Sequence, residues 1–130
     1  MAPGRAAGLA YPCGMKKPPL SVCSNIWLVR GERSLGGRGR IELLEKIEQT
    51  GSIRQAALLM GMSYRVAWQA IEALNELADA PVVDRAVGGR GGGGAVVNEH
   101  GQRLIRSFRL LESEHARFVT RVNQKLAKLL

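Results

Sequence analysis

The sequence is poor in the residues that anchor catalytic or metal sites. Its 130 residues include two cysteines and two histidines, namely Cys13, Cys23, His100 and His115. The cysteines form no C-x-x-C pair and no disulfide framework, so reduced thiols in a cytoplasmic protein are expected. The histidines have no cysteine or acidic cluster at metal-ligand spacing. No nucleophile–base pair stands out, so the chain is expected to be no enzyme and to need no cofactor. No run of ~20 apolar residues exists, which excludes a membrane-spanning helix. Ala6–Ala10 is shorter than the ~7–15 apolar residues at the centre of a secretory signal. Acids are scarce too: 11 Asp and Glu face 19 Lys and Arg, for a net charge of +8.

What is there suits one domain with a tail. The chain is 45% hydrophobic and 23% charged, an ordinary globular balance. The surplus of bases points to a polyanionic partner, most simply nucleic acid. It is unevenly placed. Residues 1–20 and 21–40 each carry +3, and residues 41–80 carry −3. Residues 81–94 carry +1 and residues 95–130 carry +4. An acidic centre therefore lies between basic flanks, and Glu42, Glu45, Glu48, Glu76 and Asp79 are expected to face away from a polyanion.

Residues 1–20 read as a disordered tail, broken by Pro3, Gly4, Gly8, Pro12, Gly14, Pro18 and Pro19. Within it, Met15-Lys16-Lys17 has the form of a translation start. Val22–Arg30, with its β-branched and aromatic Ile26-Trp27-Leu28-Val29, reads as a strand, and Gly31–Gly39 as a loop. Ile41, Leu44 and Ile47 then fall on one helical face, and Gly51 stops that helix. Ser52-Ile53-Arg54-Gln55 has the form of a capping box, in which Ser and Gln satisfy each other's free amides. It opens a two-turn helix with Ile53, Ala56, Ala57 and Met60 inward. Gly61 ends it, and Ser63 caps a third helix running from Tyr64 to about Ala78. There Ala67, Ala70, Ile71, Leu74 and Leu77 face inward, and Pro81 bars continuation.

Val82–Val87 and Ala95–Val97 read as two strands of a hairpin with a seven-residue tip, Gly88-Gly89-Arg90-Gly91-Gly92-Gly93-Gly94. The tip formally contains G-x-G-x-x-G, but a strand follows where a dinucleotide site needs a helix. Asn98 caps a last helix reaching the C-terminus. Leu104, Phe108, Leu111, His115, Phe118, Val122 and Leu129 hold one heptad register along it, with Lys125 at the skipped position. Such a stripe on a terminal helix needs a partner surface, and a second copy of the chain supplies one.

Two helices joined by a tight turn, then a hairpin, make a winged helix-turn-helix. The fold class is thus mostly α with a small β-hairpin wing, plus a long C-terminal dimerisation helix. The domains run 1–20 (tail), 21–98 (winged helix-turn-helix with an N-terminal strand) and 99–130 (dimerisation helix). Such a fold places its second helix in the major groove of DNA. Arg65 suits guanine or a phosphate, and Gln69 suits adenine. Tyr64 can reach a phosphate or a thymine methyl. Arg54 and Gln55, at the start of the first helix of the motif, suit backbone phosphates. Ser63 caps a helix N-terminus that can also hold a phosphate. Arg90, between glycines at the wing tip, suits a phosphate or the minor groove. Trp68 is expected to pack beneath the wing, and His115 to be a seam or surface residue.

Residues 40–106 resemble the N-terminal domain of the ModE-type molybdate-responsive transcriptional regulators. The resemblance rests on Gly51-Ser52-Ile53, Gly61-Met62-Ser63-Tyr64 with Ala67-Trp68, Glu72-Ala73-Leu74-Asn75, the glycine-rich tip with Ala95-Val96, and Gly101-Gln102-Arg103-Leu104-Ile105. The tip is its most specific element, whereas the helix-turn-helix part also resembles the LysR-type regulators. The resemblance implies double-stranded DNA binding and dimerisation. Family members continue into a molybdate-binding domain where this chain ends, so molybdate is not expected to bind this chain. The expected function is a sequence-specific, dimeric transcriptional regulator without membrane association. The alternatives are a heterodimerising interaction module and a non-specific architectural DNA-binding protein.

Overall fold

A computed structural model describes residues 13–86 and 94–130. In chain order the elements are β1 (Leu28–Arg30), β2 (Arg33–Gly36), α1 (Arg38–Thr50), α2 (Ile53–Met60), α3 (Tyr64–Leu77), β3 (Val83–Arg85), β4 (Ala95–Val97) and α4 (Glu99–Leu129). They fall into two compact units. One is Trp27–Leu110, and the other joins the segment ending at Ile26 to Leu111–Leu130.

The larger unit holds the core. α1 contributes Ile41, Leu43, Leu44 and Ile47, so it is buried on more than the single expected face. α2 contributes Ile53, Ala56 and Ala57, and α3 contributes Ala67, Ile71, Leu74 and Leu77. Burying each of the larger aliphatic side chains stabilises the fold by ~1.5–3 kcal/mol. Ala56, Ala57 and Ala67 are each at most 1% exposed, and their small size lets α2 and α3 approach closely. The turn between these helices depends on Gly61, whose φ of 67° is in the left-handed region. There a Cβ would meet the following carbonyl, so a side chain is strained. The next amide, of Met62, donates to the Ala57 carbonyl at 3.0 Å and closes the helix end.

The N-terminal part differs from the sequence expectation. Only Leu28–Arg30 is a strand, and the expected loop contains its partner, β2. The two pair antiparallel with Arg30 opposite Arg33 and a register shift between Leu28 and Val29. β2 is four residues long, so nothing remains for residues 22–27 to pair with. Its own signal is weak because Leu35 is its one large apolar residue, and that residue is buried. Arg30 Nε donates to the last-turn carbonyl of α3, Leu77 O, at 2.5 Å, and its Nη2 pairs with Asp79 at 2.5 Å. Arg33 pairs with Glu76 at 2.8 Å. The hairpin is thus tied to the end of α3, where cations complement the free carbonyls.

β3 and β4 pair antiparallel, Val83 with Val97 and Arg85 with Ala95. Ala86 N donates to Gly94 O at 2.9 Å, and Ala95 N donates to Gly51 O at 3.0 Å. The second bond ties the hairpin base to the turn between α1 and α2. Asn75 on α3 holds the other strand: its Oδ1 accepts from Val82 N at 2.8 Å, and its Nδ2 donates to Val83 O at 3.2 Å. Asn98 caps α4 as expected, with Oδ1 accepting from Gly101 N at 2.9 Å. A Cβ at Gly101 would lie 2.4 Å from Val82 O and 2.7 Å from Val97 Cγ1. Only glycine lets the first turn of α4 sit this close to the hairpin.

The heptad stripe on α4 does not behave as one seam. Within the larger unit the stripe's Phe108 is buried, at 1% exposure, and its Leu104 half-buried, while Ile105 beside the stripe is buried at 8%. Leu111, Phe118 and Leu129 are exposed. In the smaller unit, Val22 N donates to Asn123 Oδ1 at 2.5 Å, and Asn123 Nδ2 donates to Val22 O at 3.2 Å. Ser24 Oγ and His115 Nε2 are hydrogen-bonded at 2.7 Å. The His115 ring stacks on Phe118, with centroids 6.4 Å apart. Among the described residues no helix is long and apolar enough to cross a membrane.

Candidate nucleic-acid interface

The candidate interface is built on the N-terminal turns of α2 and α3. Each helix begins with a serine cap. Ser52 Oγ accepts from Gln55 N at 3.1 Å, and Ser63 Oγ accepts from Val66 N at 3.2 Å. The expected capping box is only half formed. Ser52 N donates to Thr50 Oγ1 at 3.3 Å rather than to the Gln55 side chain. Thr50 is held at the end of α1 by its bond to Lys46 O, so it reaches Ser52 N first. The Gln55 side chain is left exposed, without a partner among the described residues. Both helix N-termini carry free amides and partial positive charge, an arrangement suited to phosphate.

Tyr64, Arg65 and Gln69 are all exposed. Arg65 and Gln69, four residues apart, share one face of α3 and are offset by ~6 Å along the axis. Two neighbouring base pairs lie within that reach. The first two turns of α3, Tyr64–Ile71, hold Arg65 and no acid. Two features escaped the sequence reading. The Arg54 guanidinium lies over the Tyr64 ring, 4.5 Å from its centroid, so these two expected contacts form one cation–π unit bridging α2 and α3. Helical periodicity gives no sign of this, because the pair crosses the turn. Val66 is 53% exposed beside them, an apolar side chain of the kind that can meet a thymine methyl. Valine in an amphipathic helix normally signals core, which hid it. Trp68 is half-buried. Arg90 and the rest of the glycine-rich tip up to residue 93 lie outside the described residues.

Three of the acids are engaged elsewhere. Glu45 pairs with Arg109 of α4. Glu76 and Asp79 hold the β1–β2 hairpin. The hydrogen bond from Arg33, and then its charge, hold the Glu76 carboxyl below its ordinary value. The same two effects raise Arg33. None of these three carboxylates is paired with Arg54 or Arg65, while Glu72 is exposed one turn beyond Gln69 on α3. Among the described residues no group of His, Cys, Asp and Glu could hold a metal ion.

Comparison with known proteins agrees with this arrangement. Residues 39–102 match the family described as bacterial regulatory helix-turn-helix protein, lysR family. The chain is 44% identical over 87 residues to the molybdenum transport protein ModE of Azotobacter vinelandii, covering 67% of this chain and 32% of the relative. It is 51% identical over 72 residues to the DNA-binding transcriptional dual regulator ModE of Escherichia coli K12, covering 55% and 28%. The chain therefore spans about a third of the length of the curated relatives it matches. Among solved structures, full-length LTTR LysG from Corynebacterium glutamicum superposes with a TM-score of 0.50 at 22% identity. That match covers 68% of this chain and 29% of the other, and it shares the fold.

Proposed function

We propose, from the premise that residues 39–102 are a ModE-like N-terminal helix-turn-helix domain of the LysR type, that this chain is a DNA-binding transcriptional regulator acting as a dimer. The observation that carries the reading is the exposed, acid-free start of α3, with Arg65 and Gln69 on one face. In this reading α3 enters the major groove, where Arg65 addresses guanine and Gln69 adenine. Val66 meets a thymine methyl. Arg54, Gln55, Ser63 and Tyr64 lie along the phosphate backbone and fix the register without carrying sequence information. Arg90 at the wing tip contacts a phosphate or the minor groove. The dimer is held through α4, whose exposed Leu111, Phe118 and Leu129 need a cover. It sets two α3 helices ~34 Å apart, one turn of DNA. No catalysis is part of the reading.

Fluorescence anisotropy at physiological salt tests it, comparing a duplex from upstream of the chain's own gene with a shuffled duplex. A preference of ~10³ or more is expected, the lower edge of usual specificity ratios. Equal and steeply salt-dependent binding to both would point to architectural binding instead.

A further inference from the structure

The distal half of α4 presents two parallel rows. Leu111, Phe118 and Leu129 are exposed, while His115, Val119, Val122 and Leu126 are half-buried. The second row follows the spacing 4, 3, 4 and makes one continuous stripe on the helix. It is also the row to which the N-terminal segment is bonded. Ser24 holds His115, and Val22 holds Asn123, which neighbours Val119 and Leu126 on the helix surface. The Asn123 side chain takes both backbone groups of Val22, donating to its carbonyl and accepting from its amide. That is the pairing an adjacent strand would supply. Val22 and Ile26 are themselves half-buried. Residues 22–26 thus run antiparallel to α4 as a strap along one edge of its apolar stripe.

His115 and Val122 belong to the same heptad register as the exposed Leu111 and Phe118. A second α4 packing knobs-into-holes needs both rows. We propose that residues 22–26 are an intrachain strap that occupies half of this stripe, and that a second copy of the chain must displace it to pair fully through α4. The proposal rests on the reading of α4 as the dimer contact and adds its regulation. The strap holds by a few hydrogen bonds at a partly exposed site, each of modest net strength. It is therefore weak enough to be displaced and strong enough to set the concentration at which dimers form.

The test uses the full chain and the variants Asn123→Ala and Ser24→Ala. Sedimentation equilibrium gives the dimer dissociation constant, and hydrogen exchange of the Val22 amide reports the strap itself. In the wild type the Val22 amide is expected to be protected. Asn123→Ala should abolish that protection and tighten the dimer about tenfold, as expected for two lost bonds of ordinary net strength. Ser24→Ala should act in the same direction, more weakly. A Val22 amide that exchanges freely in the wild type would overturn the strap. An Asn123→Ala dimer of unchanged or weaker affinity would overturn the competition, the weaker one placing the strap within the contact between copies. Wild type and both variants staying monomeric at all concentrations would overturn the dimer reading and the competition with it, and the Val22 amide would then separate that failure from absence of the strap.

Discussion

The two halves of α4 carry one repeating pattern and put it to different uses. In the proximal half, Phe108 of the stripe is buried, together with Gly101 and, beside the stripe, Ile105. They belong to the core of the Trp27–Leu110 unit. In the distal half, the same heptad leaves Leu111 and Phe118 about half exposed. The sequence does not distinguish these halves, because periodicity reports which residues share a face and not what covers it. The lesson is that an unbroken apolar register need not be a single interface. Here one half completes a domain and the other half remains open beside a strap.

Substitutions in the two halves should separate most sharply. Phe108→Ala is expected to cost ~3–5 kcal/mol in urea unfolding, at any protein concentration, because it empties a core site. Phe118→Ala should change the unfolding free energy of the monomer by less than ~0.5 kcal/mol and weaken self-association instead. If Phe108→Ala altered only self-association, the division of α4 would fail. Gly101→Ala sharpens the proximal case. Its new Cβ would meet the Val82 carbonyl, a backbone atom that cannot rotate away, so a loss of ~1–3 kcal/mol is expected in the same assay. Arg54→Ala should cost ~0.5–1 kcal/mol through the lost contact with Tyr64, read by thermal unfolding. It should also weaken binding to specific and shuffled duplexes alike.

The smallest effect concerns the β1–β2 hairpin. Glu76 has its folded-state pKa lowered below 4.5. Its contribution is therefore fully present above that value and fades as pH falls through the lowered one. An NMR titration should place the Glu76 midpoint below the ordinary glutamate value, and Arg33→Ala should raise it. A midpoint that Arg33→Ala leaves unchanged would contradict the pairing with Arg33.

Much of this was legible in the residues. The order of α1, α2, α3, the β3–β4 hairpin and α4 follows from apolar spacing and from Gly51, Ser63, Pro81 and Asn98, each of which acts within its own few residues. The first hairpin was not legible. β2 has a single large apolar side chain, and its place depends on Arg30 and Arg33 reaching Asp79 and Glu76, more than forty residues away. Asn75 was visible only as part of a family motif, and its hold on the β3 strand needs the fold. At the interface, the exposure of Tyr64, Arg65 and Gln69 follows from the helical wheel. The Arg54–Tyr64 stack does not, because it joins two helices across a turn. The half-formed capping box fails for a local reason, since the Thr50 hydroxyl competes for the Ser52 amide.

The claim that α3 reads sequence is tested most directly by the double variant Arg65→Ala, Gln69→Ala. Its affinity for the specific and the shuffled duplex should be measured by anisotropy at one salt concentration. Each bidentate base contact is worth ~1–3 kcal/mol of discrimination, so the preference for the specific duplex should fall by about a hundredfold or more. Binding to the shuffled duplex should change far less. An equal loss on both duplexes would make these side chains phosphate contacts, and an undiminished preference would mean that α3 is not the element that reads the DNA.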